Sequence, residues 1–189
     1  MESNQRRVLP PRDPHSETWT RIDRESRVLE VTTIRVTAET ALNPEQVLAA
    51  ARDFSSRREE VFPAVSMDRM EVHEIEGTTA DVTEGTSTGI GSNWERCDYD
   101  WSTDGIVIAT VTDSNVYDTA GSRWEITARP SESGSEIEMV WVREFQRGVR
   151  GRLFGTAFRL FGNRIFRGYG REVIENLEKL EAPAGSQES

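Results

Sequence analysis

The sequence is poor in the residues that most often carry covalent and metal chemistry. Among its 189 residues there is one cysteine, Cys97, and there are two histidines, His15 and His73. A lone cysteine closes no intramolecular disulfide and builds no multi-thiolate zinc site, a composition that suits a reducing cytoplasm. Two histidines far apart in the chain give too few converging ligands for a metal, so neither a metal nor another cofactor is expected. Lysine is almost absent too: Lys179 stands alone among 23 basic residues, a bias that fits codon composition and receives no functional weight. No run of 18 apolar residues occurs, and the N-terminus lacks the apolar core of a secretory signal. A membrane-spanning helix and an exported protein are therefore not expected.

What is present suits one folded domain. Hydrophobic residues make up 35% of the chain and include five Trp, seven Phe and three Tyr, enough for one sizeable core. The 33 acidic residues outnumber the basic ones and leave a formal charge of -10, which opposes binding to a polyphosphate backbone. Nucleic acid is not an expected partner. Residues 1–27 carry Pro10, Pro11 and Pro14 among polar residues without apolar periodicity and read as a flexible extension. Residues 183–189 form a polar tail after a helix-ending proline, so the folded unit is expected over 28–182.

That unit opens with the β-branched run Val28 to Thr37, a strand signal. Asn43-Pro44-Glu45-Gln46 then supplies an N-cap, a proline at the first helical position and a Gln at N3, predicting a short helix. A second is expected at Ser55 to Phe62, ended by Pro63. From Met70 to Gln146 six strand-like runs follow, with breaks near Gly77, Gly85 to Gly91, Asp104-Gly105, Ala120-Gly121 and Ser133-Gly134. The lack of any helix between them demands antiparallel hairpins. From Gly148 to Ala182, apolar residues at 149, 153, 157, 161, 165, 169, 173, 177 and 180 predict one long terminal helix.

A seven-stranded curved antiparallel sheet with two short helices after its first strand must have its apolar face covered by the terminal helix, an α+β architecture. This order resembles the helix-grip fold of the START-like, or SRPBCC, superfamily and its polyketide cyclase/dehydrase family. At residue level the resemblance rests on Gly89-Ile90-Gly91-Ser92-Asn93-Trp94, Ser122-Arg123-Trp124-Glu125-Ile126 and the ending Glu172 to Glu181. It implies a cavity between sheet and helix that holds a hydrophobic or aromatic small molecule, lipid- or polyketide-like.

Strand periodicity nominates the lining. In the last strand Ile137, Met139, Trp141, Arg143 and Phe145 share the inward face; in the strand before it Trp124 points in. Glu95, Cys97, Tyr99 and Trp101 share a face in the strand from Asn93, also assigned inward. Phe154, Phe158, Phe161 and Ile165 are available from the helix. The same rings could equally fill a solid core. Arg143, on an otherwise apolar face, must find a partner if buried: a ligand carboxylate or phenolate, or an inward acid such as Glu95; in another register it reaches solvent at the strand end. In a catalytic cavity residues such as Arg143, Tyr99 and His73 would steer proton transfer, although His73 reads first as a strand histidine at the surface or pocket edge; Cys97 reads as core. Gly85 to Gly91 is a hairpin rather than a dinucleotide loop, since Trp94 holds the third glycine position.

Residues 143–171 hold eight arginines against Glu144, a net +7 that leaves -17 on the rest of the chain. This basic stretch could be a solvated face paired with acidic strands, or could contact anionic lipid weakly. Three functions follow: a binding protein for a hydrophobic metabolite, a cyclase/aromatase-like enzyme, and a peripheral membrane or lipid-handling protein. Oligomeric state is not readable.

Overall fold

The computed structural model describes residues 31–88, 91–146 and 148–181. The expected extension at 1–27 with His15, the tail at 183–189, the motif residues Gly89 and Ile90, and Arg147 lie outside the described residues. The elements are β1 (Thr32–Thr40), α1 (Pro44–Ala51), α2 (Arg57–Val61), β2 (Glu71–Glu76), β3 (Thr79–Thr88), β4 (Gly91–Asp100), β5 (Ile106–Ser114), β6 (Arg123–Ser131), β7 (Gly134–Arg143) and α3 (Val149–Glu181). They form the expected helix-grip fold.

Local chemistry explains these elements. Asn43 accepts from the Gln46 amide while the Gln46 side chain accepts from the Asn43 amide, a reciprocal box that opens α1 at Pro44. The strands run β1-β7-β6-β5-β4-β3-β2, every pair antiparallel. Only β1 and β7 pair without being consecutive in the chain; the crossover from one edge of the sheet to the other runs from β1 through α1 and α2 to β2. Gly105 takes φ +79° between β4 and β5, as the Asp-Gly pair foretold. Gly85 to Thr88, expected in a turn, instead continue β3, paired with Gly91 to Trp94 of β4.

The sheet's concave side is filled unevenly. Toward one end Val47, Leu48 and Ala51 from α1 and Val173, Ile174 and Leu177 from α3 pack on Ile126, Ala128 and Ile137 as a solid core. There the C-terminal end of α3 is tied down. Glu178 accepts from the Thr40 hydroxyl at 2.6 Å, and Glu181 pairs with Arg57 at 2.7 Å.

The N-terminal half of α3 is rotated relative to the face read from the sequence. Leu153, Phe161 and Ile165, expected inward, are 67%, 59% and 61% exposed, and Leu160 is exposed beside them. The inward face instead carries Gly155, Phe158, Gly162, Phe166 and Gly170. Glycine adds nothing to an apolar count, so periodicity passes over the face where the helix comes closest to the sheet. A Cβ on Gly162 would stand 2.7 Å from Ile34 Cδ1, and one on Gly170 would stand 3.1 Å from Val36 Cγ1. Close packing on β1 is what these glycines permit. Gly162→Val should accordingly lower stability by about 1–3 kcal/mol through overpacking, despite the better helix propensity. A thermal melt checks this, and an unchanged or raised midpoint would contradict it.

Candidate functional site

Toward the other end of the sheet, α3 stands off and leaves a partly open cavity of about 250 Å3. A cavity on the order of 150 Å3 holds benzene, so this one has room for more than a single ring. The concave wall is Trp124 and Ile126 from β6 with Met139, Trp141 and Arg143 from β7. Period two requires this: β6 and β7 pair with Trp124 opposite Trp141 and Ile126 opposite Met139, so the same parity faces α3 along both strands. Ile165, Phe166 and Tyr169 roof the space, and Arg58 and Phe62 close it from the α2 side.

Trp124, Met139, Trp141 and Arg143 thus stand where periodicity put them. Glu95 and Ile165 line it as well; the remaining candidates do not. Tyr99 is 1% exposed beneath the wall, packed edge-on to Trp124 with ring centroids 5.6 Å apart. Trp101 lies past the end of β4, half-buried against the core. Phe145 is buried against Tyr117 and Phe158; Phe158 in turn meets Phe166, whose ring centroid is 4.7 Å from that of Trp141. These rings prop the roof from behind. Phe154 is half-buried away from the lining, and Phe161 points outward for the reason given above. His73 sits on the edge strand β2, its Nε2 2.8 Å from the Thr83 hydroxyl, outside the cavity. Neither it nor Tyr99 is part of the cavity lining.

The polar groups of the cavity form two buried pairs. Arg58 is 1% exposed; its Nε donates to Glu84 at 2.7 Å, Nη1 to the Ala51 carbonyl at 2.7 Å and Nη2 to the Tyr99 hydroxyl at 2.9 Å. The Tyr99 hydroxyl in turn donates to Glu84 Oε2 at 2.8 Å. The guanidinium also lies 4.3 Å from the Phe62 ring centroid, within cation–π range. Burial pulls the Arg58 pKa down, but the adjacent Glu84 charge more than offsets it and the group stays cationic. Sequence reading missed Arg58 inside the charged run Arg57 to Glu60.

Arg143 and Glu95 form the second pair, one of the alternatives the sequence left open. Arg143 Nη2 donates to Glu95 Oε1 at 3.0 Å, and Nη1 stands 3.0 Å from Oε2 without hydrogen-bond geometry. Arg143 Nε, Arg143 Nη1 and Glu95 Oε2 are buried with no hydrogen-bond partner. The guanidinium rests over Tyr117, 4.4 Å from its ring centroid. Burial raises the Glu95 pKa above the ordinary 4.5; Arg143 opposes that only in part, and Glu84, its register partner across β3 and β4, adds to it.

Cys97 is fully buried, and burial pushes its thiol far up, with Glu95 and Glu84 adding to the shift. It should resist a thiol reagent such as Ellman's in the native protein and react on denaturation; fast native labelling would contradict this. Among the described residues no cluster of three His, Cys, Asp or Glu could hold a metal ion. No helix among them is long and apolar enough to cross a membrane.

A family model described as polyketide cyclase / dehydrase and lipid transport matches residues 31–180. Among solved structures, the chain is similar to an aromatase/cyclase, Zhui, from Streptomyces sp. R1128, at 12% identity and TM-score 0.62, covering 82% of this chain and 99% of that one. It is also similar to a START superfamily protein from Mycobacterium smegmatis, at 11% identity and TM-score 0.56, covering 77% and 98%. A third is the major latex-like protein 151 of Panax ginseng, at 8% identity and TM-score 0.59, covering 81% and 99%. At such identities these structures speak for the fold alone. No curated protein sequence matches.

Proposed function

Given that the chain belongs to the polyketide cyclase/dehydrase and lipid transport family, we propose that it binds a hydrophobic or aromatic small molecule bearing one acidic or carbonyl oxygen. The ligand occupies the cavity between the sheet and α3, and Arg143 holds that oxygen. The observation that carries this reading is the buried Arg143 guanidinium, with two nitrogens lacking hydrogen-bond acceptors, in a cavity whose apolar walls include Trp124, Met139, Trp141 and Phe166. An unsatisfied buried donor is costly, and a ligand oxygen removes that cost.

Two probes of one shape test it. 8-Anilinonaphthalene-1-sulfonate is an anion, and N-phenyl-1-naphthylamine is nearly the same molecule without the charge. Both should quench Trp124 and Trp141. Arg143→Met should weaken the sulfonate by about 10- to 150-fold, the equivalent of a charge-assisted hydrogen bond of roughly 1.5–3 kcal/mol, and leave the neutral amine almost unaffected. Equal loss of both would mean that Arg143 only supports packing.

A second reading, proton-transfer catalysis on a polyketide-like chain, is favoured by Glu95, a buried carboxyl of raised pKa beside a cationic donor. Incubation with a reactive poly-β-ketone thioester separates the two. A product mixture identical to that of the spontaneous reaction leaves binding alone.

A further inference from the structure

The rotation of α3 leaves an outward apolar surface that the cavity uses only at Ile165. Leu153, Leu160, Phe161 and Ile165 are 59% to 67% exposed. At 100° per residue they fall within one sector of about 140° on the helix. Isolated exposed apolar residues are ordinary; four large ones at i, i+7, i+8 and i+12 on one helix are a continuous patch. Arg152, Arg164, Arg167 and Arg171 are exposed on the same stretch. From 149 to 171 the helix holds six arginines and no acid, whereas the chain as a whole carries -10.

We propose that this outward face of α3 docks in the plane of an anionic lipid bilayer, with Leu160, Phe161 and Ile165 entering the headgroup–acyl boundary and Arg164 and Arg167 meeting lipid phosphates. Charge complementarity selects this occupant. A second copy of the chain laid on the same face would bring Arg164 and Arg167 against their own kind. A bilayer supplies what both halves of the pattern require, an anionic layer for the arginines and apolar depth for the side chains between them. The acidic remainder of the chain repels the same surface, so contact is confined to α3 and fixes the orientation. In that orientation the cavity faces lipid: a groove bordered by Phe161 and Arg164 shares Ala64, Ile165 and Tyr169 with the cavity lining. A lipophilic molecule leaving the bilayer would meet the roof first. The docking depends on the surface alone and stands whether or not the cavity's ligand is the one proposed above.

Flotation with vesicles of phosphatidylcholine, and of phosphatidylcholine with 30% phosphatidylserine, tests it on the full chain. The protein should float with the anionic vesicles at 50 mM salt, lose most of that binding at 500 mM, and stay unbound with the neutral ones. Leu160→Ser combined with Phe161→Ser should lower binding at least tenfold. Arg164→Gln combined with Arg167→Gln should lower it by about 25-fold, since one surface-proximal arginine contributes about fivefold. All four side chains are exposed, so the melting temperature and N-phenyl-1-naphthylamine binding should be unchanged; those readouts keep a failed docking distinct from a failed cavity. Absence of flotation with anionic vesicles would overturn the proposal. So would full flotation of the Leu160/Phe161 variant, or sedimentation showing a micromolar dimer that the same variant dissociates.

Discussion

Arg58→Met should destabilise the protein by about 3–5 kcal/mol, more than any other single substitution at the cavity. Removing one partner of a buried ion pair leaves the other charge without compensation. Here Glu84, its side chain 9% exposed, would keep the Tyr99 hydroxyl and lose its counterion. The Ala51 carbonyl at the end of α1 would lose its donor as well, and four rings within 6 Å of the guanidinium would lose a cation. Methionine occupies a similar volume, so the loss is electrostatic rather than a cavity effect. Glu84→Gln on the same background should recover at least about 1–2 kcal/mol, because the amide oxygen still accepts from Tyr99 and no charge is left stranded. Urea unfolding of the two variants and the parent measures both steps. A single-variant loss below about 1 kcal/mol, or no recovery in the double variant, would mean that Arg58 does not hold α2 to the sheet in this way.

Arg58 also shows where sequence reading stops. The element order was legible because it depends on local signals: the Asn43 box, the Asp104-Gly105 turn, and alternation strong enough to place Trp124 and Trp141. Arg58 was hidden by its neighbours. In a five-residue helix of two arginines and two glutamates, no period distinguishes the one charged side chain that turns inward, although Val61 and Phe62, three and four residues on, share its face. Glu84 was more accessible to reading, since Ala80 and Val82 precede it at period two on β3 and are buried with it. On α3 the difficulty was of another kind. Helix–sheet contact is made through Gly162 and Gly170, so the stripe of large apolar residues, normally the sign of a core face, marks the surface instead. Tertiary proximity, rather than side-chain apolarity, chose the rotation.

Anion affinity in the cavity should rise as pH falls from 8 toward 5, and Glu95→Gln should abolish that dependence. Glu95 and a ligand anion compete for one cation, Arg143. While Glu95 is ionised the guanidinium is already neutralised; once Glu95 takes a proton, the Arg143 charge is available to the ligand. Burial raises the Glu95 pKa above 4.5, so this exchange begins at a higher pH than an ordinary glutamate would allow. The stability linkage has the matching sign. The fold holds the protonated form more readily than the unfolded chain does, so this group's contribution is complete below about pH 4.5 and is lost as pH rises through the folded value. 8-Anilinonaphthalene-1-sulfonate is the appropriate probe because its sulfonate stays ionised across the whole range, leaving Glu95 as the titrating partner at Arg143. At pH 8, Glu95→Gln should bind it about tenfold more tightly than the parent, the release of a competing interaction of about 1.4 kcal/mol, with little change for N-phenyl-1-naphthylamine. Weaker sulfonate binding in the variant would show that Glu95 orients Arg143 for the ligand rather than competing with it.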